Sequence, residues 1–60
     1  MNTKEYKKWV LRLSTGDLKF EYDAMHWVAS FGSTDEVKRI AIEKMHVVQL
    51  EMQIRKTFES

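Results

Sequence analysis

The stretch STDEVKRIAIEKMHVVQLEMQIRKTF, residues 33–58, decides how the rest of the chain is read. Its opening, Ser33-Thr34-Asp35-Glu36, has the spacing of a capping box, in which a hydroxyl and a carboxylate three residues on satisfy free N–H groups at a helix start. From Val37 to Phe58 no Gly or Pro intervenes, so the pattern predicts one helix over about 34–58, roughly 37 Å long. With Val37 as position a of a heptad, Ile40, Val47 and Ile54 fall at d, and Ala41, Val48 and Arg55 at e. Met45 and Met52 sit at the edge of this apolar arc, which is about 160° wide. The a positions read Val37, Lys44, Glu51 and Phe58, so two opposite charges break the centre of the stripe.

Working outward, Gly32 ends a segment whose reading is ambiguous. Leu18, Phe20 and Tyr22 alternate with Lys19, Glu21 and Asp23, the period of a half-buried strand. Phe20, Ala24, Trp27, Val28 and Phe31 also share one helical stripe. A lone strand at 18–22 lacks a partner strand within so short a chain, so a helix is expected, starting between Asp17 and Asp23 and running to Phe31. Asp23 as its N-cap, after an extended or turn segment, is the compromise. Further upstream, Tyr6, Trp9, Val10 and Leu13 lie at i, i+3, i+4 and i+7. They predict a helix over about 3–14, capped by Asn2 with Glu5 and ended by Ser14-Thr15-Gly16, with Gly16 in the left-handed position after the last turn. The expected fold is all-α, one domain over 1–60, with two short helices packed on a long third.

Composition bounds the function. A chain of 60 residues without Cys has no disulfide staple, no thiolate metal site and no cysteine chemistry. So small a domain buries only about 60% of its unfolded surface, and chains of this kind often lean on oligomerisation or a partner. No apolar run reaches the roughly 18 residues of a membrane span, and no signal-peptide core follows Met1. A complete small cytoplasmic protein is therefore expected. The net charge of +1 hides a division: residues 1–13 carry +3, residues 14–36 carry −4, and residues 37–60 carry +2. A chain binding nucleic acid over its whole surface rarely has an acidic middle.

Catalytic motifs are missing, and neither an enzyme activity nor a cofactor is expected. There is no Gly-rich phosphate loop and no nucleophile elbow. Asp23-x-x-His26 and Glu43-x-x-His46 have a spacing used in di-iron bundles. Glu43 and His46 fall on the polar side of their helix, so no metal site is expected; His46 reads as solvated and His26 as packed beside Trp27. Thr34-Asp35-Glu36 would put carboxylates at the start of a recognition helix, and a Leu18–Tyr22 ribbon would show DNA an acidic face. Both arguments weigh against those DNA-binding motifs.

The expectation that remains is a module that buries an apolar helix face against another protein, an inhibitor or adaptor of the kind common among phage accessory proteins. Met25, Met45 and Met52, with Trp27 and Phe58, read either as core filler or as an adaptable gripping surface. The interface residues expected are Val37, Ile40, Ala41, Lys44, Val47, Val48, Glu51, Ile54 and Phe58. In an antiparallel homodimer crossing between Val47 and Val48, residue i meets residue 95 − i, and Lys44 faces Glu51 of the second copy. The simpler expectation for this pair is two charges snorkelling from the edge of the stripe, with Glu51 bonded to Arg55 one turn on. The alternative function is a nucleic-acid-associated regulator using the basic face formed by Lys4, Lys7, Lys8 and Arg12.

Overall fold

The computed structural model describes residues 3–59, and these form α1 (Thr3–Leu11), α2 (Thr15–Phe31) and α3 (Asp35–Glu59). No strand occurs among the described residues, so the period-2 pattern at 18–22 belongs to a helix. The 25 residues of α3 span about 37 Å, close to the 38 Å long dimension of the molecule. The other two helices lie along it, α1 parallel and α2 antiparallel.

The element boundaries differ from expectation at each junction. The start of α3 is capped by Thr34, whose Oγ1 accepts a hydrogen bond from the Val37 N–H at 3.1 Å. The cap thus sits one residue later than Ser33, which leaves Asp35 and Glu36 in the first turn, where their charges favour the positive end of the helix dipole. The start of α2 is earlier than both Asp17 and Asp23. Ser14 caps it, its Oγ accepting from the Asp17 N–H at 3.1 Å, while the Leu18 N–H closes the first helical bond to the Ser14 carbonyl at 2.9 Å. Gly16 is consequently inside the first turn of α2 and does not close α1; no described glycine has positive φ.

With Ser14 committed to α2, α1 stops at Leu11. Arg12 and Leu13 bond back to the Trp9 and Val10 carbonyls, three residues behind them, which tightens the exit so that Leu13 turns onto the core. The cap expected at Asn2 lies outside the described residues. Gly32 does end α2, through its N–H on the Val28 carbonyl at 2.7 Å. Its φ of −59° suits any residue; what requires glycine is space, since a Cβ there would stand 2.6 Å from the Val28 carbonyl oxygen.

The core is small. Tyr6 and Val10 of α1, Leu18 of α2 and Val48 of α3 are buried together, with Leu13, Tyr22, Val47 and Met52 packed around them. Ala41 is buried further along α3. The molecule exposes 4780 Å², against about 4,100 Å² typical of a folded chain of its 7.2 kDa. That excess reflects apolar side chains which the three helices leave uncovered.

A candidate protein-interaction surface on the outer side of α3

The nine expected interface residues divide into two groups. Ala41 and Val48 face inward, and Val48 is 0% exposed. Lys44 is half-buried, with its Nζ 5.2 Å above the centre of the Tyr6 ring, a cation–π contact across α1 and α3. Glu51 accepts from the Arg55 Nε at 2.7 Å, one turn away on the same helix. The pairing that sets residue i against 95 − i would compete with these contacts. Its crossing point is filled by the chain's own core, and both of its charges are engaged within the molecule. The local Glu51–Arg55 pair, the simpler of the two expectations, is what forms.

Arg55 does more than balance that charge. Its Nη2 donates to the Leu11 carbonyl at 3.3 Å, satisfying one of the free acceptors at the C-terminal end of α1. Glu51 orients the guanidinium, and the guanidinium fastens the end of α1 to α3. Tyr6 makes the matching tie to α2: its hydroxyl donates to Glu21 Oε1 at 3.0 Å. Burial raises the Tyr6 phenol well above its ordinary value, and the hydrogen bond to Glu21 and that carboxylate's charge push the same way.

The second group stays on the surface. Val37, Ile40, Ile54 and Phe58 are exposed, Phe58 at 84%, and Val47 is half-covered. Two residues absent from the expected set belong with them. Leu50 falls between Val47 and Ile54 at i+3 and i−4, and Leu11 projects from α1 beside it; both are exposed. Together with Val10 and Val47 they line an open apolar groove between α1 and α3, with Lys7 and Glu51 at its edges. A second shallow apolar depression continues along α3 past Ile54 to Phe58. Leu50 was recoverable from the 47-50-54 spacing, but a stripe centred on Val37 and Val48 leaves it at the margin. Leu11 gives no such signal, because it stands off the 6-9-10-13 stripe and periodicity marks it only as a lone exposed leucine.

The remaining candidates are dispersed. Lys4, Lys7, Lys8 and Arg12 are all exposed. His26 is exposed and stacks at 6.5 Å on Tyr22, one turn back, not against Trp27 as expected; Trp27 pairs with Phe31 instead. His46 is also exposed. Among the described residues no three His, Cys, Asp or Glu side chains come together as a metal site would need. No helix there is long and apolar enough to cross a membrane. Comparison of the chain with protein-family models, with curated proteins and with solved structures gives no match.

Proposed function

We propose that this chain is a non-catalytic protein-binding module, an inhibitor or adaptor, that acts by burying the outer stripe of α3 against a partner protein. The observation that carries the reading is the apolar group left exposed beside the groove: Leu50, Ile54 and Phe58 on α3, with Leu11 across it on α1. Contiguous apolar surface of this kind, edged by charge, is typical of interaction sites. The groove has the form that receives an amphipathic helix, whose apolar residues at i, i+3 and i+7 would seat between α1 and α3. A cytoplasmic setting is part of the proposal, in keeping with a chain that uses no Cys.

The test compares proteins retained by the wild type with those retained by an Ile54→Ser, Phe58→Ser variant, followed by calorimetry on the purified partner. The expected outcome is one specific partner bound with a 1:1 site and lost with the double substitution. A partner held equally by both forms would refute the α3 stripe as its site. The nucleic-acid alternative rests on the exposure of Lys4, Lys7, Lys8 and Arg12. Salt-sensitive retardation of DNA or RNA, abolished by neutralising these four, would favour it over the protein-binding reading.

A further inference from the structure

A separate surface lies on α2, away from the groove. Phe20, Ala24, Trp27 and Phe31 recur at i, i+4, i+7 and i+11 on the side opposite Leu18 and Met25. Their three rings are 77%, 65% and 68% exposed. Trp27 and Phe31 pack on one another with ring centres 4.5 Å apart, so each restrains the other. The bond from Tyr6 to Glu21 ties α1 to α2, and on α1 the half-exposed Trp9 packs 5.6 Å from the Tyr6 ring. The charges on the two helices are opposite. Residues 3–13 carry Lys4, Lys7, Lys8 and Arg12 against Glu5, net +3; α2 carries Asp17, Glu21 and Asp23 against Lys19, net −2.

We propose that this α1/α2 face docks the same face of a second copy, in a two-fold dimer that sets the basic α1 of each chain on the acidic, aromatic α2 of the other. Three arguments carry it. At about 200 Å² per aromatic side chain, the exposed parts of Phe20, Trp27, Phe31 and Trp9 offer about 500 Å² of apolar surface. A stable interface buries about 800 Å² per partner, of which roughly 60% is apolar, so the patch has the size a dimer needs. Charge then selects the orientation. A two-fold axis lying along the helices puts α1 over α2 twice, antiparallel and with opposite charges opposed. The perpendicular axis stacks α1 on α1, cation on cation, and is disfavoured. Finally, the Trp27–Phe31 contact restrains both rings before association, which lowers the side-chain freedom lost on burial. The dimer leaves the α3 stripe of each copy free, so the particle presents two copies of the surface proposed above.

Sedimentation equilibrium of the full chain, from low to high micromolar concentration, tests the proposal. The expected mass is twice 7.2 kDa. Trp27→Ser, and separately Phe20→Ser, should each raise the dimer dissociation constant about 30-fold while helix content by circular dichroism stays unchanged. Lys8→Glu with Arg12→Glu should weaken the dimer, as should Asp17→Lys with Asp23→Lys. Combining the four should recover most of the affinity, the double-mutant logic of a charge pair. Ile54→Ser with Phe58→Ser should leave it intact. A monomer at high micromolar concentration overturns the proposal. So does a dimer indifferent to both aromatic substitutions, one whose charge swaps neither weaken nor rescue, or one lost with Ile54 and Phe58.

Discussion

At the scale of the residue, Tyr6 gathers most of what ties the helices together. It is buried against Val10, Leu18 and Val48, bonds Glu21 of α2, and lies under the Lys44 ammonium of α3. Replacing it with Phe keeps the ring and removes the hydroxyl, which should cost about 1 kcal/mol at neutral pH, read from the urea midpoint. The same pair of proteins gives a pH signature. The phenol is held above its unfolded value near 10, so on raising pH the unfolded chain loses its proton first. Where the unfolded state binds fewer protons, stability falls as pH rises. The tyrosine contribution is thus complete below about pH 10 and declines above it, and Tyr6→Phe should lack that part of the decline. The helical stripe 6-9-10-13 identified Tyr6 as inward-facing. Its partner is not legible in the sequence, because Glu21 is fifteen residues away in a stretch whose spacing fits a strand as well as a helix.

At the scale of the element, α2 explains why its sequence looked like a strand. Leu18, Tyr22, Met25 and Ala29 form the stripe that faces inward, and Phe20, Ala24, Trp27 and Phe31 repeat the same spacing two residues later on the outside. Two helical stripes offset by two residues produce an apparent alternation over 18–22, and only tertiary packing tells them apart. Ser14-Thr15-Gly16 reads equally well as the end of α1, which hides the start of α2. Ser14→Ala should cost about 1 kcal/mol through loss of the cap. Gly16→Ala should stabilise by about 0.5 kcal/mol, because the added methyl meets open space and the helical glycine is entropically costly. At Gly32 the same change should have the opposite sign, on the order of 1–3 kcal/mol, since the methyl would press on the Val28 carbonyl. Thermal melts of the three variants give the sign of each.

At the scale of the whole molecule, the thin core sets the tolerance to change. A domain of this size has about 0.05–0.15 kcal/mol of stability per residue, about 3–9 kcal/mol in all. Leu18→Ala should cost about 2–5 kcal/mol and leave much of the protein unfolded, whereas Phe58→Ala should move the melting temperature hardly at all. If two copies associate, the melting temperature should also climb with protein concentration, and this dependence should vanish in Trp27→Ser. The all-helical architecture and the dominance of α3 were legible from periodicity and the lack of breakers over 37–58. Which side of α3 faces outward was not, because a broad apolar arc fits several rotations about its axis. The positions of α1 and α2 choose among them, and those depend on contacts far apart in the chain.

The tie from Arg55 to the Leu11 carbonyl spans 44 residues, and it orders how the molecule assembles. The α2–α3 hairpin is joined by a short turn, so its contacts close small loops and form readily. By contrast α1, with 9 residues, is too short to persist alone. It reaches α3 only by closing nearly the whole chain, which makes it the last piece to arrive and the first to leave. Amide exchange should accordingly be fastest in α1 and slowest in the middle of α3. Cutting the latch with Arg55→Ala should speed exchange in α1 while sparing the hairpin.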